Sequence, residues 1–355
     1  RDLVEKRKWM PAGEFAQAFA LIKAMPGPIA FQTAVFLGER RGGFAGASIA
    51  AIALNFPAFV AMILLAAFQE RFDSSPLVHA ALTGMQAAAL GLILASSKAL
   101  FWNYRKTSRF WSLFVIGFIA VIALPAFEPV AIVIGGAISI ALGRKASMPK
   151  MSFVPLVGLA RFPLFGPESS AALAMAGSWW DAFGLLLWNC FKAGAFVFGS
   201  GIAIVPLMEN DFVTTLRWLT HDEFMNALAF GQITPGPVVI TATYIGFKTM
   251  GLAGALASTF AIFLAPFVHM TTWFPRAMSR LSRQAWIGDF LLGAIAVVTA
   301  AVLTSVVRLA ISGNFEAIHF VLIAGACAGV LFTKTPAWVL IPAAGVMVAL
   351  ESSIF

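Results

Sequence analysis

The chain has 355 residues, of which 60% are hydrophobic and 11% are charged, whereas soluble domains are about 45–50% apolar and about 25% charged. This composition excludes an ordinary soluble domain and indicates a membrane protein. The net charge of +8 is distributed over short basic clusters between apolar runs, which is a membrane topology signal and argues against a nucleic-acid partner.

Long apolar runs follow one another along the chain, with short polar segments between them. We predict spanning helices at 44–68, 80–101, 110–125, 127–142, 181–200, 251–270, 287–309, 316–333 and 336–354. Two further apolar segments, 14–37 and 223–247, are each interrupted by a Pro-Gly-Pro triplet. The polar, Pro-rich stretch 143–180 divides the chain, so we predict an all-α polytopic membrane protein of three parts. They are an N-terminal repeat (1–142), a cytoplasmic linker (143–180) and a C-terminal repeat (181–355).

The two halves resemble each other around the triplets. Pro26 and Pro235 begin them and are 209 residues apart, and a one-residue slip aligns "GGFAGA" at 42–47 with "MGLAGA" at 250–255. Two Pro-Gly-Pro triplets with matched flanks are not expected by chance between apolar helices. The pattern therefore predicts an internal duplication, as in many transporters.

The basic residues predict how the two repeats are oriented. If each triplet segment dips into the membrane and returns to the same side, most basic residues fall on one side, the cytoplasmic one. Equivalent loops then have opposite character, because 69–79 is nearly charge-balanced while 271–286 carries three arginines. We predict two inverted repeats, each of about five spans plus one re-entrant Pro-Gly-Pro hairpin. Only a remnant of the unit equivalent to 181–200 precedes the first hairpin, so we expect the first span of repeat one to be missing from this chain.

Each triplet must end any helix that reaches it, because proline removes a backbone donor and glycine loosens the chain. Within a membrane, such irregular backbone is tolerated only where it is buried in protein or lines a watery cavity. The half-helices that follow begin at Pro28 and Pro237, and their first N–H groups suit an anion. These groups belong to Ile29, Ala30 and Phe31, and to Val238, Val239 and Ile240. The alternative is a pair of kinked spanning helices without a ligand, which the charge sorting disfavours.

Polar side chains lie close to both breaks in the sequence. Gln32 and Thr241 occupy equivalent positions one turn into each second half-helix, and Thr234 adds a hydroxyl next to the second triplet. Lys23 precedes the first triplet, and a lysine at this depth suggests a counter-charge for an anion. Compensation of a half-helix C-terminus is an equally good interpretation of Lys23.

A second lysine and a third break occur in the span at 181–200. Lys192 is far from either end of that span, so it reaches the membrane surface less easily than a terminal lysine, and we favour a functional role for it. Gly199, Ser200 and Gly201 follow and predict another interruption of the helix.

Other chemistry is not indicated by the sequence. The four histidines and two cysteines have no metal-binding spacing, and no nucleophile–base pair or phosphate-binding loop occurs. We predict neither an enzyme nor a cofactor. Glu223 could carry protons, but Thr220-x-x-Glu223 is better interpreted as a capping box that starts a helix.

Several motifs, in the same order, resemble the chromate ion transporter family of the two-repeat type. They are the paired "PGP" elements, the "GERRGGFAGA" and "KTMGLAGALAS" segments, and "FVFGSGIAIVPLMENDFV". The resemblance covers nearly the whole chain and implies a plasma-membrane carrier that exports chromate and confers chromate resistance. It also implies that the family's motif residues bind substrate. The Phe-Gly-Gly type motif corresponds to Phe198, Gly199, Ser200 and Gly201, and the Pro-Gly-Pro motifs to Pro26-Gly27-Pro28 and Pro235-Gly236-Pro237.

Two departures from the family pattern stand out. The Phe-Gly-Gly motif of the first half and its helix are missing, and Lys23 stands where the family more often has a neutral polar residue. The expected partners are chromate or a related oxyanion and the lipid bilayer, and a homodimer is left open. Two alternatives remain, namely a carrier of sulfate or another oxyanion, and a passive anion channel.

Overall fold

The computed structural model describes residues 8–23, 25–72, 74–143, 178–281, 284, 286–313, 315–333 and 335–354. All of the regular structure in these residues is helical, which confirms the all-α class. The predicted linker at 143–180 lies almost entirely outside the described residues.

The described part of the chain forms thirteen α-helices. They are α1 (Ala12–Ile22), α2 (Ile29–Phe72), α3 (Pro76–Phe101), α4 (Ser108–Ala123), α5 (Glu128–Ala141), α6 (Trp179–Ala195), α7 (Ile204–Met208), α8 (His221–Ile233), α9 (Thr241–Thr271), α10 (Phe274–Leu281), α11 (Trp286–Ser312), α12 (Ala317–Ala328) and α13 (Ala337–Ile354). A π-helical turn extends α7 over Glu209–Thr215 and another extends α12 over Gly329–Thr333.

Among the described residues, five helical segments are long and apolar enough to cross a membrane. They contain α2, α3, α9, α11 and α13, and the shorter α1, α4, α5 and α12 are also apolar. The 16 residues of α4 extend about 24 Å at the helical rise, somewhat less than the roughly 30 Å of a bilayer core. The fold is that of a multi-pass membrane protein, as the composition indicates.

Both α2 and α9 contain a sharp turn with the same backbone geometry. Gly42 has φ −143° and ψ 23° and Gly43 has φ 58° and ψ −148°, while Met250 and Gly251 have −143° and 23°, and 61° and −149°. The second residue of each pair needs a positive φ, which glycine adopts without strain. The matched turns support the predicted duplication, and the inverted orientation of the repeats stays a prediction.

At each turn the chain folds back on itself through a pair of glycines. A Cβ on Gly38 would lie 2.4 Å from the carbonyl oxygen of Gly46, and one on Gly246 would lie 2.2 Å from that of Gly254. Glycines let two helix backbones approach this closely. Each long helix is therefore two helical segments, of which only the second is the predicted span.

Ion pairs join the outer ends of the segments on either side of each triplet. Glu14 near the start of α1 pairs with Arg40 in α2, and Glu223 near the start of α8 pairs with Lys248 in α9 at 3.1 Å. The two arms therefore return to the same end, which is the predicted hairpin.

The predicted capping box is also confirmed, because Thr220 accepts from the Glu223 N–H and Glu223 accepts from the Thr220 N–H.

The remaining helices pack around these two hairpins. Helix α11 lies against α3, α4 and α5, helix α3 also contacts α12 and α13, and α9 contacts both α2 and α6. Small residues allow several of these contacts, since Gly293 on α11 faces Gly135 on α5 and Gly194 on α6 faces Ile262 on α9. The breaks therefore lie within the helical bundle.

Candidate functional site

The first break follows the sequence prediction closely. Helix α1 ends at Ile22, and α2 begins at Ile29, immediately after the triplet. Gly27 has φ +128°, a conformation that glycine adopts readily. The first helical bond at this end runs from the Gln32 N–H to the Pro28 carbonyl at 2.9 Å, and the N–H groups of Ile29 and Ala30 donate to no backbone carbonyl among the described residues.

The second break has a tighter start. Helix α8 ends at Ile233, and a 3-10 turn, Val238–Ile240, precedes α9. The Ile240 N–H donates to the Pro237 carbonyl at 2.9 Å, so the prediction that Ile240 presents a free donor is wrong. In a 3-10 turn each N–H donates to the carbonyl three residues before it, whereas in an α-helix it donates to the carbonyl four residues before it. Val238 and Val239 keep N–H groups with no backbone partner in the described part of the chain.

The third break separates α6 from α7. Helix α6 ends at Ala195, Gly199 has φ +78°, and a 3-10 turn over Gly201–Ala203 restarts the helix. The Phe198 ring packs against Phe290 with ring centroids 6.0 Å apart. An interruption of this span was predicted from the two glycines, and the segment 196–200 between the helices forms it.

This third break lies between the other two. The Gly27 N–H donates to the Val197 carbonyl at 2.6 Å, and a Cβ on Gly201 would lie 3.6 Å from side-chain atoms of both Val238 and Val239. Three interrupted helices therefore meet at one place in the interior. The sequence predicts each break, but only the structure shows that they are neighbours.

Each triplet also packs against the long helix of the opposite half. A Cβ on Gly27 would lie 2.7 Å from the Pro266 Cβ, and one on Gly236 would lie 3.0 Å from the Ala58 Cβ. Pro266 is inside α9 and Ala58 is inside α2. The two triplets therefore have related surroundings, as the duplication leads one to expect.

The polar side chains at the breaks bond mainly to nearby backbone. Gln32 is buried, its Nε2 donates to the Pro26 carbonyl at 2.6 Å, and its Oε1 has no hydrogen-bond partner among the described residues. Thr241 Oγ1 donates to the Val238 carbonyl at 2.7 Å, and Thr234 Oγ1 to the Gly231 carbonyl at 3.2 Å. These groups line the irregular backbone and hold its shape.

The predicted site residues differ in exposure. Gly27, Pro28 and Pro237 are buried, and Pro26 and Ile29 are half-buried, while Ala30, Pro235 and Gly236 are exposed. Lys23 is exposed as well, with Nζ 4.6 Å from the centre of the Phe19 ring. It forms no ion pair with a described residue, and it follows the last turn of α1.

Lys192 is placed differently from Lys23. It is 6% exposed, and its Nζ lies 2.9 Å from the Asp211 carboxylate in the π-helical turn. Lys192 therefore does not extend its side chain to the membrane surface, and its charge is balanced inside the protein.

Sequence reasoning missed three buried acidic residues, one of which pairs with Lys192. Asp211 and Glu209 lie in a stretch that looks mainly apolar, and Glu128 lies between two short apolar runs where the sequence suggests a loop. All three are buried. The sequence could have indicated them, because an ionisable residue inside an apolar run is expected to have a function. Only the fold shows that Asp211 pairs with Lys192 and that Glu209 pairs with Arg308.

The described residues include no group of three His, Cys, Asp or Glu side chains placed to hold a metal ion. The chemistry at the breaks comes from backbone N–H groups, amide and hydroxyl side chains, and a buried lysine. Such groups can bind and orient an anion.

The architecture defines a multi-pass α-helical membrane protein with interrupted helices in its interior. A family model described as chromate transporter matches residues 1–141 and 184–349. The chain therefore belongs to the chromate transporter family. The gap between the matched regions, 142–183, encloses the whole of the predicted linker.

Named relatives agree with this family. A "Probable chromate transport protein" of Synechococcus elongatus is 30% identical over 314 residues, which are 87% of this chain and 77% of the relative. The "Chromate transport protein" of Cupriavidus metallidurans is 31% identical over 266 residues, 74% of this chain and 65% of the relative. That of Pseudomonas aeruginosa is 26% identical over 280 residues, 78% of this chain and 67% of the relative. No solved structure matches the chain. Family and fold together indicate a multi-pass protein and fit the plasma membrane.

Proposed function

We propose that this protein is a secondary transporter that exports chromate across the plasma membrane and so confers chromate resistance. The observation that carries the proposal is the meeting of three interrupted helices, in which Val197 contacts the first triplet and Gly201 the second. The N–H groups at the two helix starts, those of Ile29, Ala30, Val238 and Val239, have no backbone partner among the described residues. We take chromate as the substrate because two of the relatives are named chromate transport proteins.

The anion site we propose is built from the substrate-binding residues predicted from sequence. The backbone donors come from Ile29 and Ala30 in one half and from Val238 and Val239 in the other. A dianion there would meet the positive ends of two helix dipoles, an arrangement that favours negative charge. Gln32 and Thr241 would shape the walls, and Lys23, which is not ion-paired in the described part of the chain, would be a counter-charge.

The direction follows from the membrane potential. With the cell interior negative by ~100 mV, moving one charge is worth roughly 2.3 kcal/mol, so a dianion gains about 4.6 kcal/mol on leaving. Export of chromate therefore needs no other energy source. Uptake would need a co-transported cation or proton.

Flux measurements in vesicles test the proposal. The chain is reconstituted into vesicles loaded with chromate, a potential of defined sign is imposed with potassium and valinomycin, and chromate efflux is followed by its absorbance. We expect efflux that saturates with chromate and is accelerated by exchange with external substrate. Flux that rises linearly, without counter-transport, would indicate a channel, and no chromate flux under either potential would refute the proposal.

Sulfate is the natural competitor in the same assay. Sulfate and chromate are both tetrahedral dianions, and backbone N–H groups distinguish them poorly. If sulfate flux exceeds chromate flux at equal concentration, the substrate assignment changes to sulfate while the carrier mechanism stands. Empty vesicles serve as the control for leak.

A further inference from the structure

Five charged side chains meet on one side of the interrupted helices, and we refer to them as the charge cluster. They are Glu128, Lys192, Glu209, Asp211 and Arg308. Two ion pairs account for four of them. Lys192 Nζ lies 2.9 Å from Asp211, and Arg308 lies 3.5 Å from Glu209.

Glu128 is the fifth member and has no such pair in the described residues. It is the first residue of α5 and is 3% exposed, and its Oε1 has no hydrogen-bond partner among the described residues. It interacts electrostatically with the other four members of the cluster, two of which have the same charge as an ionised Glu128. The short 3-10 turn before α5 packs against the π-helical turn that carries Glu209 and Asp211.

Counting charges shows why Glu128 favours the protonated form here. The cluster has three carboxyl groups and two cations, and each cation already has a carboxylate beside it. Ionising a buried carboxylate that has no cation paired with it is costly, so burial favours a proton on Glu128. The cluster is then electrically neutral.

The surrounding helices bring few other titratable groups to this place. Helix α4 carries only Arg109, which pairs with Asp289 of α11 and donates to the Ser139 carbonyl near the opposite end of α5. Cys190 of α6 is buried near the Lys192–Asp211 pair. His221 at the start of α8 contacts the Leu309 backbone, next to Arg308. None of them offers Glu128 a cation beyond the two already paired.

The charge cluster is physically connected to the proposed anion site. Lys192 lies in the last turn of α6, and Val197, five residues on, accepts a hydrogen bond from the first triplet at Gly27. An oxyanion that approaches the Lys192 ammonium therefore shares this cation with Asp211. A negative charge on Glu128 would repel the oxyanion, and a proton on Glu128 removes that repulsion.

We propose that Glu128 is a proton-binding site that is linked to oxyanion binding, so that a proton on Glu128 favours binding of the oxyanion. The linkage is reciprocal, because a proton that favours anion binding must itself be held more tightly once the anion is bound. The oxyanion part of this inference rests on the proposed function, and the protonation of Glu128 does not. A proton suits the cluster better than a metal ion does, since its carboxylates are not grouped as metal ligands in the described structure.

Calorimetry of the purified full chain tests the linkage. Chromate, and separately sulfate, is titrated in buffers of different ionisation enthalpy, at a pH where both anions are fully deprotonated, so that any proton uptake belongs to the protein. At a pH where Glu128 is partly ionised in the anion-free protein, we expect up to about one proton taken up per anion bound, and none in Glu128→Gln. The matched control is Glu351→Gln, which changes a half-buried carboxylate on α13 and should behave like wild type. The proposal would be overturned if wild type takes up no proton on binding the anion, or if wild type and Glu128→Gln take up equal numbers of protons.

Infrared spectroscopy without any anion separates this proposal from the proposed function. The carbonyl stretch of a buried protonated carboxyl should be present in wild type, disappear on raising the pH, and be missing in Glu128→Gln. If Glu128→Gln does not insert, Glu128→Asp should shift the same band, because the carboxyl moves by one methylene. Absence of anion binding would refute the proposed function, and the infrared band alone would then decide whether Glu128 carries the proton. A band unchanged by either variant would overturn the inference.

Discussion

The backbone N–H of Gly27 donates to the carbonyl of Val197 at 2.6 Å. This bond links the Pro-Gly-Pro triplet of the first half to the interrupted helix of the second half. Because Gly27 has φ +128°, the N–H points away from its own hairpin in a way that most residues could not reproduce. The two halves therefore cannot shift past each other at this point without losing the bond.

Gly27→Ala should destabilise the folded protein. The new Cβ would lie 2.6 Å from Gln32 Nε2 and 2.7 Å from the Pro266 Cβ, and the positive φ would cost about 1–3 kcal/mol. We expect a lower melting temperature in detergent and reduced chromate flux. The control is Gly184→Ala, on an exposed face of α6 where a Cβ meets no atom within 4 Å. Equal melting temperatures for the two variants would contradict the strained geometry.

Gly236→Val should impair binding more than folding. Gly236 does not need a positive φ, is exposed, and has only the Ala58 Cβ near its missing side chain, at 3.0 Å. A branched side chain there would obstruct approach to the N–H groups of the second half-helix. We expect normal membrane insertion with chromate affinity and flux reduced at least tenfold, a loss of about 1.4 kcal/mol in binding. Gly184→Val is the matched control, and normal binding by Gly236→Val would mean that the second triplet is only a kink.

Much of the fold could be predicted from sequence because its determinants are local. Hydropathy marks the spans, and proline and glycine end a helix wherever they occur, so the breaks at both triplets and at 196–200 follow from neighbouring residues. The capping box at Thr220 and Glu223 is similarly local. The duplication was visible because the same local chemistry recurs with a nearly fixed offset.

The contacts between distant segments could not be predicted in the same way. Nothing near Val197 in the sequence indicates that it bonds to Gly27, and nothing near Lys192 indicates that Asp211 is its partner. The tight turns were missed for a related reason. The span predicted at 251–270 is present, but the turn before it brings Gly254 against Gly246, and this requires a backbone conformation that an apolar pattern does not report.

The inverted arrangement of the repeats is tested by labelling single cysteines. Cys190 and Cys327 are first replaced by Ala, and one cysteine is then placed at Arg41, Arg71 or Arg276, all of which are exposed. The charge sorting predicts labelling by an impermeant maleimide from the cytoplasm at 41 and 276, and from outside at 71. Labelling of 41 and 276 from opposite sides would contradict the inverted model.

Lys192 offers the sharpest separation of a structural role from a functional one. Lys192→Met alone leaves Asp211 buried without its cation, which typically costs about 3–5 kcal/mol, so poor insertion of this variant would be uninformative about transport. The double variant Lys192→Met/Asp211→Asn removes both charges and should restore insertion, because replacing a buried pair by neutral groups is often tolerated.

We expect this double variant to insert and melt like wild type and yet bind and transport chromate poorly, since the cation near the anion site is gone. Asp211→Asn alone is the comparison, and it should keep oxyanion binding because it frees the ammonium. Chromate binding and flux per inserted molecule decide the question, and wild-type flux in the double variant would reduce Lys192 to a partner of Asp211.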